Sequence, residues 1–233
     1  MTDDVPQIAM AVACVVIAIT WHEAAHGYAA LLLGDDTAQK QGRVSLNPLR
    51  HVDRIGTVLV PGVLLLAQLL LVGRVVALFG WAKPVPVAAW RFPNPRRGMM
   101  LVAAAGPAAN FVLAWAAALL LHGLPLLPGA WVEGAGTAIE FLVLANLLLG
   151  LFNLLPIPPL DGGRIMVGLL PQRAALAWAR VERAGILVVI FGIFVLPRML
   201  AAFGVPFTPV TDALDTGISW AFDAVRWLSF NDA

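Results

Sequence analysis

The chain has 233 residues, 60% of them hydrophobic and 12% charged, against about 25% charged in ordinary soluble domains. That balance excludes a soluble globular class and describes an integral membrane protein with the lipid bilayer as its first partner. A net charge of +1 gives no nucleic-acid surface, and the single Cys14 excludes a disulfide framework or a CxxC metal site within one chain. The first element is an apolar run over residues 5–33, long enough for the ~20 residues of a spanning helix and closed by Gly34 and Asp35. The N-terminal "MTDDVPQ" is acidic where a signal peptide is basic, and no small-residue cleavage site follows, so the run reads as a retained helix. Its last third carries His22, Glu23 and His26. Residues 35–57 are polar and broken at Asn47-Pro48, and the alternating piece "GRVSLNP" predicts a small β element at the membrane surface. Residues 58–80 are apolar but interrupted by Pro61-Gly62 and Gly73-Arg74, and the proline-rich "WAKPVPVAAWRFPNPRR" after them cannot span.

A cleaner span covers residues 98–122, with small residues at 103–109 that let another helix approach closely. The next, 137–155, runs into "FNLLPIPPLDGGRI", where prolines unwind the helix ahead of Asp161. Residues 184–201 form a further span and 210–230 a last segment of weaker hydropathy. There is no internal repeat and no appended soluble domain. The expectation is an all-α polytopic membrane protein in a single domain over 1–233, its core at about 5–172 and its C-terminal helices at 174–233, with about four to six membrane helices.

Basic residues set the orientation. Lys40, Arg43, Arg50 and Arg54 lie in one loop, Lys83, Arg91, Arg96 and Arg97 in a second, and Arg164, Arg173, Arg180 and Arg183 in a third, all three of which want the cytoplasmic side. The first two cannot share a side if 58–80 crosses once, so that segment is expected to be a re-entrant hairpin, covered by protein or water. Residues 98–122 then run outward and 137–155 return, bringing Asp161 to the membrane face where the first helix ends.

On a helix, residues four apart share a face. His22 and His26 therefore point the same way, with Glu23 beside them, in an HExxH pattern: two imidazoles for Zn²⁺ and a glutamate that takes a proton from water. A catalytic zinc keeps three protein ligands, so one more is needed. His122 falls at the outer end of its helix and is a poor candidate. Asp161, an anionic oxygen donor in a Pro-broken, Gly-rich segment at the right depth, is better placed, and His51 is the alternative. Unpaired ionisable groups in an apolar span cost on the order of 3 kcal/mol for one central acid, which favours a bound metal over a chance pattern.

"HEAAH", "GPAAN" at 106–110 and "NLLPIPPLDGG" at 153–163, in that order, resemble the site-2 protease family of intramembrane zinc metalloproteases. "GRVSLNPLRHVDRIGT" and "GWAKPVPV" resemble its compact bacterial and archaeal branch, so the likeness covers roughly residues 10–172. The resemblance implies hydrolysis of peptide bonds in or near transmembrane helices of substrate proteins. It implies one Zn²⁺ held by His22, His26 and Asp161, Glu23 as general base, Asn153 assisting, and a helix bearing Gly106, Pro107 and Asn110 packed against the metal pair. A prokaryotic cell membrane is the expected location, with the site toward the cytoplasm. No PDZ domain lies between the motifs and no CBS domain follows them. Asn47 and His51 are candidates for the water path, for substrate contact or for supporting the metal, Asn110 for a hydrogen bond near the site, and the β element for pairing with an unwound substrate. Two other classes compete. A metal or proton transporter would also bury His, Glu and Asp, yet only one HExxH and one aspartate motif occur where repeated halves are usual. A catalytically inactive adaptor would have no need of an intact Glu23.

Overall fold

The computed structural model describes residues 4–73, 80–181, 185–205 and 208–230, and among these every regular element is helical. In chain order they are α1 (Asp4–Leu32), the single turn α2 (Thr37–Lys40), α3 (Val60–Val72), α4 (Pro95–Leu119), α5 (Gly129–Leu154), α6 (Asp161–Leu169), α7 (Gln172–Val181), α8 (Gly185–Ile190), α9 (Leu196–Ala202) and α10 (Pro209–Leu228). Three helical stretches, Pro6–Leu32, Pro95–Leu126 and Gly129–Leu154, are long and apolar enough to cross a membrane, so the chain is a membrane protein.

These three make the core that positions everything else. Contacts between α1 and α4 run in opposite directions along the two chains: His26 meets Val102, while His22 and Ala18 meet Asn110, so the helices are antiparallel. Asn110 in turn meets Asn146, and Ala114, Ala117 and Ala118 pack on Val143 and Leu147, so α5 is antiparallel to α4 and parallel to α1. Small residues allow the approach. A Cβ on Gly150 would lie 3.3 Å from the Phe111 ring, and α4 tolerates the buried Pro107 in its interior because neighbouring helices cover the backbone it disturbs. Two parallel helices deliver their C-terminal ends to one face, and α6 begins there.

Several expectations are corrected. No strand occurs among the described residues, and "GRVSLNP" is a series of turns instead. Gly42 adopts φ +63, Arg43 N–H donates to Ala38 O at 2.9 Å, and Asn47 caps the 3-10 turn Pro48–Arg50. With no second edge alongside, side chains rather than a ladder satisfy this backbone. The two-armed hairpin over 58–80 is not seen either. A π-helical turn (Arg54–Leu59) leads into α3, which ends at Gly73 (φ +72), and residues 74–79 lie outside the described residues. Trp81 N–H donates to Gly56 O at 3.1 Å and Lys83 N–H to His51 O at 2.9 Å, so the segment starts and finishes at neighbouring places. Among the described residues, three membrane-length helices stand where about four to six, the hairpin included, were expected. Residues 185–202 are helical but interrupted by a π turn at Phe191–Val195, and α10 is too charged to qualify, with Asp212, Asp215, Asp223 and Arg226 along it. It instead lies on α4 and α5: Val225 joins the Ala114–Leu147 cluster, and Trp115 Nε1–H donates to Leu228 O at 3.2 Å.

Candidate metal centre

The 3.6-residue period of α1 puts His22 and His26 on the side facing α4, with Glu23 turned aside toward the segment around Val85. His26 Nδ1 lies 2.7 Å from Val102 O, an atom that only accepts, so Nδ1 carries the proton and Nε2 the lone pair. His22 follows by one further step. Asn110 Nδ2 donates to Ala18 O at 3.2 Å and to Asn146 Oδ1 at 2.8 Å, which turns Asn110 Oδ1 toward His22 and makes His22 Nδ1 the donor across 2.7 Å. Asn146 is held by its own bond to Leu142 O at 2.8 Å.

Both Nε2 lone pairs therefore point inward, 3.0 Å apart. Asp161 Oδ2 completes the triangle at 3.0 Å from His22 Nε2 and 3.3 Å from His26 Nε2, and it is a buried oxygen with no hydrogen-bond partner among the described residues. Three convergent acceptors without a donor repel one another unless a cation or proton sits among them. With bonds of about 2.0–2.1 Å, a tetrahedral zinc spaces its ligands by about 3.3 Å, close to the spacing seen here. The donor set fits a divalent metal, and His22, His26 and Asp161 could hold it.

The surroundings are shaped to this trio. A Cβ on Gly106 would lie 2.5 Å from His26 Cε1 and 2.6 Å from His22 Cε1, so only glycine lets α4 pass beneath both rings. Gly163, in the first turn of α6, allows a similarly close approach to the preceding turn, where a Cβ would come within 2.6 Å of Pro158 N. Glu23 Oε2 accepts from Val85 N–H at 3.1 Å. The extended segment that offers this N–H is pinned at both ends. Arg43 donates to Lys83 O and Arg50 O, and the wholly buried Asp35 accepts from Ala88 N–H at 2.6 Å and from Thr37 N–H at 3.0 Å. Burial alone would raise the Asp35 carboxyl, but the Thr37 and Ala88 donors and the Arg91 charge outweigh it and hold the group below the usual carboxylate range. Burial pulls the Arg43 guanidinium below its ordinary value, with the Glu23 charge opposing.

The remaining candidates stand apart from the trio. His51 is buried, donates from Nε2 to Ser45 O at 2.8 Å, and its own carbonyl accepts from Lys83 N–H at 2.9 Å. Asn47 is exposed and accepts from Leu49 N–H at 3.0 Å. Asn153 donates to Leu149 O of its own helix at 3.0 Å, a bond that does not reach the trio. His122 Nε2 pairs with Ser229 O at 2.6 Å. Sequence reasoning missed Asn146, although an amide inside the apolar run "LVLANLLLG" was a readable signal. It also missed the close approach of Gly106 to the rings.

The fold and site define a class, a membrane-embedded metallopeptidase with an HExxH helix and a distant aspartate. Residues 10–196 match the family model described as Peptidase family M50. The chain is 40% identical over 187 residues, 78% of each chain, to a Bacillus subtilis (strain 168) protein named "Putative zinc metalloprotease YwhC". No solved structure matches. The chain belongs to peptidase family M50, the site-2 protease family.

Proposed function

We propose that this protein is a zinc metalloprotease that hydrolyses peptide bonds in or near the transmembrane helices of other membrane proteins, with His22, His26 and Asp161 as zinc ligands and Glu23 as general base. The observation that carries the reading is the triangle of three buried lone-pair atoms, two imidazole Nε2 and Asp161 Oδ2, closed to within 3.0–3.3 Å. Bound there, zinc would supply Lewis-acid polarisation of the scissile carbonyl and a lowered pKa for water. Asn110 and the Val102 carbonyl fix the tautomers that leave both Nε2 atoms available. The Val85 N–H occupies Glu23 Oε2 and leaves the other carboxylate oxygen to accept the proton of the attacking water and return it to the departing amine. Asn153, next to the last residue of α5, assists by turning its side chain away from Leu149 O. His51 and Asn47 act through the loop that holds the Val85 segment.

Orientation follows from the basic loops. The site faces the cytoplasm of a prokaryotic cell membrane. The four Lys or Arg in each of the three basic loops support that orientation. The protein acts as one domain over 1–233, with its catalytic core at about 5–172. The transporter and inactive-adaptor readings give way to a peptidase family match with Glu23 intact.

The test is Glu23→Gln in protein reconstituted with a set of single-span membrane proteins. Zinc content should stay at one per chain while cleavage falls by about 10²–10⁴-fold, the usual worth of a general base. Undiminished turnover would remove Glu23 from the chemistry, and absence of zinc from the unaltered protein would remove the metalloprotease reading itself.

A further inference from the structure

Helix α4 touches the proposed ligands in three places. It holds His22 through Asn110 and His26 through Val102 O, each at 2.7 Å. The third hold is indirect. Arg96, in the first turn of α4, reaches the far end of α6, the helix whose first residue is Asp161. Its Nη2 donates to Val167 O at 2.8 Å and to Gly168 O at 3.4 Å, its Nε to Val167 O at 3.2 Å, and Nη2 also to Leu170 O. These are carbonyls of the last helical turn and of Leu170 just past it, where a helix leaves acceptors unpaired and a cation is favoured. The planar fork of arginine presents several donors to them in a fixed geometry, whereas lysine offers one compact, rotatable ammonium.

We propose that Arg96 is a positioning residue for Asp161, and that the Arg96 clamp on the C-terminus of α6 is what holds the Asp161 carboxylate in the metal triangle. The proposal rests on the reading of Asp161 as a zinc ligand. Nine residues make a rod of about 13 Å, and a helix this short is marginal by itself, so its course depends on what holds its ends. The start of α6 is pressed against the preceding turn, where Gly162 and Gly163 leave no room for a Cβ beside Leu154 O, Leu155 O and Pro158. Next to the last residue of α6, Gly168 sits on Met100, where a Cβ would lie 2.5 Å from Met100 Cβ. The clamp at Arg96 closes the far end. With its start held by the preceding turn and its far end held by α4, Asp161 Oδ2 stays within 3.0–3.3 Å of two imidazoles that α4 also orients. Release of the far end lets α6 pivot on its glycines and carries the carboxylate away from the rings.

The experiment measures Zn²⁺ affinity by chelator competition, and the visible absorption of the Co²⁺-substituted form, on the full-length detergent-solubilised protein. Arg96→Gln should weaken Zn²⁺ binding about ten-fold, the lower range for a residue that supports a ligand, and should shift the Co²⁺ bands. Arg96→Lys, which keeps the charge without the fork, should fall between Arg96→Gln and the unaltered protein. Arg97→Gln, one residue along and exposed, should bind as the unaltered protein does. On an Asp161→Ala background, where Zn²⁺ binding is already weak, Arg96→Gln should cost nothing more, since its effect passes through Asp161. Unchanged Zn²⁺ affinity and Co²⁺ spectrum in Arg96→Gln would overturn the proposal, as would an Arg96→Gln loss that persists in full without Asp161. Full Zn²⁺ affinity in Asp161→Ala would instead bring down the ligand reading, and this proposal with it.

Discussion

Two sets of polar side chains lie on helices that run alongside one another, and they are treated in opposite ways. On the inner faces of α1, α4 and α5, Thr20, His22, His26, Asn110 and Asn146 are buried, and each is bonded to a partner, four of the five to another helix. On the outer face of α10, Asp212, Asp215 and Asp223 are exposed, and Asp212 is bonded only to Thr208 at the start of its own helix. Polar side chains carry different weight in the two sets because a buried group that loses its partner keeps the full desolvation penalty, whereas an exposed one re-pairs with its surroundings. A polar residue in a membrane helix is therefore judged by what it touches.

The sharpest way to break the inner set is Gly106→Ala. Its methyl group would fall 2.5 Å from His26 Cε1 and 2.6 Å from His22 Cε1, so both rings must leave the triangle. Bound zinc should drop well below one per chain, and cleavage should fall by about 10²-fold or more, since a shift of about 1 Å is enough for that. Metal analysis beside a cleavage assay checks it. Asn110→Ala keeps the space but strands His22 Nδ1–H and Asn146 Oδ1. Zinc affinity should fall by about 10- to 100-fold and stability by about 1–3 kcal/mol, read from thermal melting with and without zinc.

Asp35→Asn tests a buried carboxylate outside the metal trio. Loss of the charge on two backbone N–H donors and Thr37 should cost about 2 kcal/mol at neutral pH. The Asp35 carboxyl is held below its ordinary value, so the stability it provides is complete above the unfolded value of about 3.9 and is lost as pH falls through the lower folded value. Melting temperatures of the two proteins should thus differ by a constant amount from about pH 5 to 8 and approach each other only below about pH 4. The smallest effect belongs to the outer set. Asp223→Asn should stay within about 0.5 kcal/mol of the unaltered protein, and a loss as large as that of Asn110→Ala would show that something covers the α10 face.

The sequence by itself determined the chemistry and the order of the spans. A four-residue spacing dictates that His22 and His26 share a helix face, and the prolines before Asp161 with the glycines after it dictate that a carboxylate stands at a helix end, because those are local properties of the chain. Long apolar runs dictate α1, α4 and α5 for the same reason. The short alternation in "GRVSLNP" was misleading, since a strand exists only with a partner edge and none runs beside it. Only the tertiary structure decided which nitrogen of each imidazole faces inward, because that depends on Val102 O and Asn110, some 76 and 88 residues away along the chain. It likewise decided that Asn146 and Gly106 serve the site, that Arg96 grips the helix beginning at Asp161, and that α10 lies on the core with its acids outward. Each of these is a contact between segments distant in sequence, set by how helices pack rather than by the residues on either side.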